Sequence, residues 1–119
     1  MKAGNERLVK IPSGSVVLEG MLELPKDAHG VVLFAHGSGS SRHSARNQYV
    51  ARMLQARGFA TLLLDLLTSH EEAIDERTAQ FRFDIPMLAD RLVAAIDWLA
   101  GQPATASLPL GLFGASTGG

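Results

Sequence analysis

Cysteine is absent from this sequence of 119 residues, so neither a disulfide framework nor thiolate chemistry is available to it. Aromatic side chains make up only 6% of the chain. Acidic and basic side chains number 12 and 11, for a formal net charge of -1. A chain so close to neutral lacks the basic surface that nucleic-acid binders and anionic-membrane binders use. We therefore expect no nucleic-acid partner.

The sequence also lacks an apolar run of the length that a membrane-spanning helix needs. Its uninterrupted runs, such as residues 31–35 and 62–64, are far shorter than the about 20 residues of such a helix. The first seven residues carry charges with no apolar run behind them, unlike a secretory signal. We expect a soluble, cytoplasmic protein with no membrane partner.

Hydrophobic side chains, in contrast, fill 46% of the positions, and their spacing predicts the fold. Residues 8–11 and 15–24 favour strands, and the Pro-Ser-Gly turn at 12–14 predicts that they form an antiparallel hairpin. The continuously apolar run at 31–35 and the largely apolar segments at 59–67 and 108–113 are typical of strands covered on both faces. The alternation with helices predicts an α/β fold in which a parallel β-α-β-α-β unit follows the hairpin.

Two helices are expected between these buried strands. The first is capped near Ser44 or Asn47 and carries an apolar stripe, and Gly58 fits the position just past its end. Its stripe comprises Val50, Met53 and Leu54. The second is capped by Asp84 and has its own stripe of Leu88, Leu92, Ile96 and Leu99. The acidic connection at residues 68–84 is long, and Ser69 and Glu72 have the spacing of a capping box for one short helix.

A glycine-serine motif follows the last predicted strand. Residues 114–118 read Gly-Ala-Ser-Thr-Gly, the G-x-S-x-G pattern in which small residues allow a sharp turn with the serine at its apex. Three fixed positions in five occur often by chance, but the place after the third parallel strand adds weight to the match. Ser116 is therefore a candidate nucleophile, and an ordinary serine in a glycine-rich turn is the alternative interpretation.

A second small-residue turn follows the first parallel strand. An attacking serine needs hydrogen-bond donors for the developing oxyanion, usually two backbone N–H groups. One comes from the residue after the nucleophile, here Thr117, and the other from the turn after the first parallel strand, here His-Gly-Ser at residues 36–38. The glycines on either side of Ser38 would let its N–H face the site.

These two motifs, with the order of strands and helices, resemble the α/β-hydrolase superfamily and its small dienelactone-hydrolase-like branch. The resemblance covers nearly all 119 residues and implies the N-terminal half of that fold, one partial domain at residues 1–119 that ends at the nucleophile elbow. It implies a serine hydrolase that acts on carboxylic esters or lactones through an acyl-enzyme on Ser116. Ser38 and Thr117 would supply the backbone oxyanion hole, with no cofactor and no metal.

The sequence departs from that family after Ser116. In α/β-hydrolases the acid and the histidine of the catalytic triad follow the serine in chain order, whereas three residues follow it here. The last strand would also present an unpaired edge. The resemblance therefore implies a chain that needs a missing C-terminal half, a second chain or self-association to cover the open sheet edge.

Other polar side chains could act at such a site. His36, His43 and His70 are candidate bases, although a structural or surface role accounts for each. Asp65 ends a parallel strand, where functional groups gather, and its alternative role is to bond neighbouring loop amides.

Two arginines, Arg42 and Arg46, lie one helical turn apart at the start of the first predicted helix. No acidic side chain occurs in residues 28–64, so a solvated basic face is one interpretation. The other is that one arginine holds a substrate carboxylate near Ser116, because a planar guanidinium matches that group.

Functions from other classes stay open. An incomplete hydrolase could serve as a non-catalytic binding or assembly module, or a second polypeptide could complete a two-chain enzyme. A dinucleotide-binding turn fits poorly, because Arg42 takes the place of the third glycine and Asp65 lies too far along the chain. The four histidines show no metal-ligand spacing.

Overall fold

The sheet begins with the hairpin that the sequence predicts. In a computed structural model, which describes residues 5–36, 44–81 and 84–115, β1 (Asn5–Ser13) pairs antiparallel with β2 (Val16–Leu24). Gly14 makes the turn with a φ of +59°, a left-handed conformation that glycine adopts at little cost. The turn is shorter than predicted, because Pro12 stays within β1, and an edge strand is where a sheet tolerates proline.

Three parallel strands complete the sheet: β3 (Val31–His36), β4 (Ala60–Asp65) and β5 (Leu110–Ala115). The strand order is β1-β2-β4-β3-β5, so β3 lies between its parallel neighbours β4 and β5, and β2 joins β4 antiparallel. The predicted fold class, an antiparallel hairpin followed by a parallel β-α-β-α-β unit, is confirmed.

The helices that connect the parallel strands begin at the predicted caps. α1 (Ala45–Ala56) has Ser44 as its N-cap, and the Ser44 hydroxyl accepts a hydrogen bond from the first helical turn. Gly58 follows the helix with a φ of +90°, as its predicted position past the helix end requires. α3 (Ile85–Gly101) begins at Asp84, whose carboxylate accepts a backbone hydrogen bond.

One short helix, α2 (Ser69–Thr78), lies between β4 and α3, as expected, but its cap is one residue earlier than predicted. Thr68 rather than Ser69 is the N-cap: its hydroxyl accepts from the Glu71 N–H at 3.1 Å, and the Glu71 carboxylate accepts from the Thr68 N–H at 3.0 Å. Glu71 also binds Arg91 of α3. That tertiary contact selects Glu71, and therefore Thr68, over the Ser69 and Glu72 pair.

The helices lie on opposite faces of the sheet. α3 covers the larger core, where its buried Leu88, Ala95 and Leu99 join strand residues of β1 to β4. α1 covers a smaller core of Phe34, Ala51 and Leu63. Every residue of β4 is buried, as a central strand requires.

The predicted stripe of α1 is correct in part. Val50 and Leu54 pack against the core, but Met53 is exposed and Ala51 holds the buried position instead. A small side chain there lets α1 lie close to Phe34 and Leu63.

No helix in the described part of the chain is long and apolar enough to cross a membrane.

Candidate active site at the carboxyl edge of the sheet

The carboxyl ends of the three parallel strands meet in one row, which we call the edge row. The register places His36 of β3 opposite Asp65 of β4 on one side and opposite Ala115 of β5 on the other. Neighbouring strands lie about 4.8 Å apart. The edge row therefore brings the ends of all three strands within a span of about 10 Å, with β3 in the middle.

The chain continues from the edge row directly into the two predicted catalytic segments. Residues 37–43 follow His36, and the serine of the glycine-rich motif follows Ala115. Four predicted site residues lie outside the described residues: Ser38, Arg42, Ser116 and Thr117. Their roles stay predictions. The structure describes the two strand ends from which these segments leave, and these ends are adjacent, parallel and in register.

The topology makes this edge a typical place for a ligand. From β3 the chain passes through α1 to β4 on one side of β3 and then crosses back, through α3, to place β5 on the other side. In doubly wound sheets, ligands bind at the carboxyl ends of strands where the winding reverses. The reversal here lies between β3 and β5.

The other candidate side chains are distributed around this edge. Asp65 is buried and engaged by neighbouring groups, so its position in the edge row is held by existing contacts. His70 is exposed on the first turn of α2. The side chain of His36 and the whole of His43 lie outside the described part of the chain. Within that part, no group of three or more His, Asp or Glu side chains is arranged to hold a metal ion.

Arg46 is exposed in the first turn of α1. Since β3 leads through residues 37–43 into α1, this first turn lies at the same edge as the edge row. Arg52 and Arg57 are exposed further along, and the helix carries no acidic side chain. The geometry is therefore compatible with both interpretations, a solvated basic face and a carboxylate-binding arginine.

A buried charged group near this edge, Arg91 of α3, was not among the residues predicted from the sequence. Its guanidinium donates to the Leu66 carbonyl at 2.8 Å and, through both terminal nitrogens, to the Glu71 carboxylate. The two side chains are 8% and 13% exposed, which makes this a buried ion pair. The Arg91 hydrogen bond is the largest cause that holds the pKa of Glu71 below its ordinary value, and burial opposes it.

The spacing of Arg91 from Leu88 and Ala95 is the one sign of its burial in the sequence, and it has meaning only once the buried face of α3 is known. The buried line of α3 is Leu88, Arg91, Ala95 and Leu99 rather than the predicted stripe, and Leu92 and Ile96 are half-buried. A charged residue in register with an apolar line needs a buried partner. The sequence alone does not say which of the acidic residues at 71–76 provides it.

Known hydrolases share this fold. The chain is 58% identical to a dienelactone hydrolase from Anabaena variabilis, with a TM-score of 0.92, over 99% of this chain and 55% of that protein. A dienelactone-hydrolase-like promiscuous phosphotriesterase from metagenomic libraries has the same fold at 19% identity, with a TM-score of 0.76, over 98% of this chain and 51% of that protein. The chain thus spans about half the length of these hydrolases.

A curated relative has a different name. The chain is 56% identical over 110 residues to a Mycobacterium tuberculosis protein named "Putative phosphoribosyl transferase", found in two strains. The match covers 92% of this chain and 24% of that protein, so most of the relative has no counterpart here. No protein-family model matches the chain.

Fold and sequence identity agree on one assignment. The hairpin, the parallel unit and the strand order match the N-terminal part of the Anabaena variabilis enzyme along almost the whole chain. The chain has the fold of the N-terminal part of an α/β-hydrolase domain, and it is similar in sequence to a dienelactone hydrolase.

Proposed function

We propose that residues 1–119 form the N-terminal part of a serine hydrolase domain that cleaves carboxylic esters or lactones, with Ser116 as the nucleophile. One observation carries the proposal: β3 and β5 are adjacent and in register, with His36 opposite Ala115. The predicted oxyanion turn and the predicted nucleophile elbow therefore start about one strand spacing apart. The 58% identity to a dienelactone hydrolase supports the same reaction class.

In this mechanism the Ser116 hydroxyl attacks the ester carbonyl, a base removes the hydroxyl proton, and the alcohol leaves with a proton to give an acyl-enzyme. The backbone N–H groups of Ser38 and Thr117 donate hydrogen bonds to the oxyanion that develops. Water then hydrolyses the acyl-enzyme and restores the serine. The base and its orienting acid follow the nucleophile in this fold, so we assign them to the part of the hydrolase that this chain does not span.

The same missing part would cover the open edge of β5. Leu110 and Leu112 lie on the α3 face of the sheet yet are exposed, beside Leu33, which is fully buried. Because the matched hydrolases are about twice as long as this chain, we propose that their remaining strands and helices have a counterpart that covers these leucines. A small-molecule ester or lactone is the proposed partner of the completed site.

Arg46, with Arg42 before it, is proposed to bind a carboxylate on the substrate. Arg46 is exposed at the edge where the nucleophile emerges, and no acidic side chain in α1 competes for it. Arg46→Gln should therefore raise the KM for an ester that carries a carboxylate by about tenfold, the effect of one charge-assisted hydrogen bond. The KM for the matching neutral ester should not change. An equal change for both esters would contradict this role.

A serine-directed phosphonate probe tests the nucleophile in the full-length protein. The probe should label Ser116, and Ser116→Ala should abolish labelling together with ester hydrolysis. Ser107→Ala, at an exposed serine between α3 and β5, is the matched control and should keep both. A folded protein that no phosphonate labels would exclude the serine hydrolase and favour a non-catalytic binding or assembly module.

The name of the Mycobacterium tuberculosis relative does not lead to a second proposal. The matched segment is a quarter of that protein, and in this chain it has a hydrolase fold. Phosphoribosyl transfer needs no serine nucleophile, so the Ser116→Ala variant separates the two activities.

A further inference from the structure

The segment between β4 and α2, residues 66–68, leaves the sheet beside the proposed site. It continues the chain directly after Asp65, whose cross-strand partner is His36, the last residue before the predicted oxyanion turn. The two connections therefore start from the same edge about one strand spacing, ~4.8 Å, apart. The chain that leads to Ser116 leaves β5 on the other side of β3, one further strand spacing along the same edge, so residues 66–68 lie on the β4 side of the proposed site.

Two kinds of contact hold this segment. The side chains of Leu66 and Leu67 are buried in the larger core, which anchors the segment to the sheet. Its backbone orientation is fixed by polar contacts instead. The Arg91 guanidinium binds the Leu66 carbonyl, and the Glu71 carboxylate accepts from the Thr68 N–H.

The same ion pair also holds α2 in place. The buried residue of α2 is Asp75, whose carboxylate accepts from the Phe81 N–H at 2.8 Å, and the helix inserts no fully buried apolar side chain into the core. Apolar packing therefore contributes little to its position. The pairing of Glu71 with Arg91 joins α2 to α3, and one guanidinium thus connects the β4–α2 segment, α2 and α3.

We propose that Arg91 is a positioning residue of the hydrolase site: through Leu66 and Glu71 it holds residues 66–68 and α2 as one wall of the substrate pocket. The proposal rests on the proposed function for the location of the pocket, whereas the Arg91 contacts themselves are independent of it. Arg91 acts through this wall and does not touch the reacting atoms.

The wall is expected to depend on pH in one direction. Arg91 holds the pKa of Glu71 below its ordinary value, so the folded state favours the charged carboxylate. The stabilisation is therefore fully present above the ordinary glutamate pKa of about 4.3 and is lost as the pH falls through the lowered value. At neutral pH the pair is charged and the wall is held.

Arg91→Met tests the proposal in the full-length protein, because it keeps an unbranched apolar stem in place of the arginine stem and removes every donor. Backbone amides at residues 66–72 should exchange with solvent about tenfold faster or more. The KM for an ester with a bulky acyl group should rise by about tenfold, with the rate of Ser116 labelling by a small phosphonate almost unchanged. Arg91→Lys, which keeps the charge without the planar fork, should give an intermediate KM.

The control is Arg77→Met, at an exposed arginine in the last turn of α2, which should leave exchange and KM unchanged. Unchanged exchange in Arg91→Met, or faster exchange with no change in KM, would overturn the proposal. If Arg91→Met does not fold, Glu71→Gln replaces it, and the same two results decide. A wild-type protein that the phosphonate does not label would contradict the proposed function, while the exchange measurement would still test the Arg91 contacts.

Discussion

The two edge strands of the sheet differ in composition. β1 carries charged side chains and a proline, which in native sheets discourage pairing with further strands: Glu6, Arg7, Lys10 and Pro12. β5 reads Leu-Gly-Leu-Phe-Gly-Ala and has neither charge nor proline. By composition, β1 is an edge strand and β5 is an interior strand.

Packing shows the same difference. On the α3 face, β1 buries Val9 and Ile11 under the helix, whereas β5 leaves Leu110 and Leu112 exposed. α3 therefore covers the β1 end of this face and leaves the β5 end exposed. Exposure alone therefore does not identify a surface residue: the composition of β5 favours a further strand, which would cover Leu110 and Leu112.

Two lysine substitutions, one on each edge strand, test this difference between β1 and β5, and we expect the greatest change in stability from them. Leu112 and Leu8 are 58% and 47% exposed in this chain, one on each edge strand. We expect Leu112→Lys to lower the free energy of unfolding of the full-length protein by about 3 kcal/mol, because it would bury a charge in the completed fold. Leu8→Lys should change it by less than about 0.5 kcal/mol. Urea unfolding monitored by circular dichroism measures both, and similar values would mean that nothing covers β5.

Two glycine substitutions test the packing of β5 against that of the interior strand β2, with a smaller expected change in stability. A Cβ on Gly20 of β2 would lie 2.9 Å from the Leu62 Cδ1 and 3.1 Å from the Leu63 carbonyl oxygen. Gly20→Ala should therefore cost about 1–3 kcal/mol of overpacking strain. At Gly111 of β5 the nearest atom would be the Val32 Cγ2, at 3.9 Å, which is ordinary contact. Gly111→Ala should change stability by less than about 0.5 kcal/mol, and an equal loss at both sites would contradict this account.

The smallest change in stability is expected at the ion pair that joins β1 to β2. Lys10 and Glu19 lie 3.1 Å apart across the hairpin, with 62% and 35% of their side chains exposed. Solvent and salt screen such a pair, so Lys10→Ala should cost less than about 0.5 kcal/mol. The Lys10 charge on an edge strand should instead discourage β1 from pairing with a further strand. We therefore expect a larger effect on aggregation, measured by light scattering at high protein concentration, than on the unfolding midpoint.

Much of the fold could be predicted because its signals are local. Alternating residues specified the hairpin, and Ser44, Asp84 and Gly58 marked helix boundaries through hydrogen bonds or backbone angles within a few residues. Where two local signals competed, local reasoning was wrong. Thr68 and Ser69 both have a glutamate three positions later, and the contact of Glu71 with a distant arginine decided between them.

The residues of the candidate site likewise include some that local sequence patterns predict and some that they do not. The motif at residues 114–118 and the turn at 36–38 could be predicted because each requires small residues at fixed spacing, and their catalytic roles stay predictions. Arg91 was missed, because an arginine on a helix is ordinary until the helix face and the partner are known. Met53 was misplaced for a related reason: a helix with several apolar faces does not reveal which one meets the sheet.

The sequence by itself predicts the strands, the helices, the starts of α1 and α3 and the family that the chain resembles. Short-range hydrogen bonds, side-chain periodicity and glycine conformation depend on residues that are close in sequence. Local sequence patterns are therefore enough to predict them. Only the tertiary structure decided the strand order, the register of His36 with Ala115, and the burial of Arg91 against Glu71 and the Leu66 carbonyl. Those contacts join residues that are 20 or more positions apart, and they depend on how both faces of the sheet pack at once.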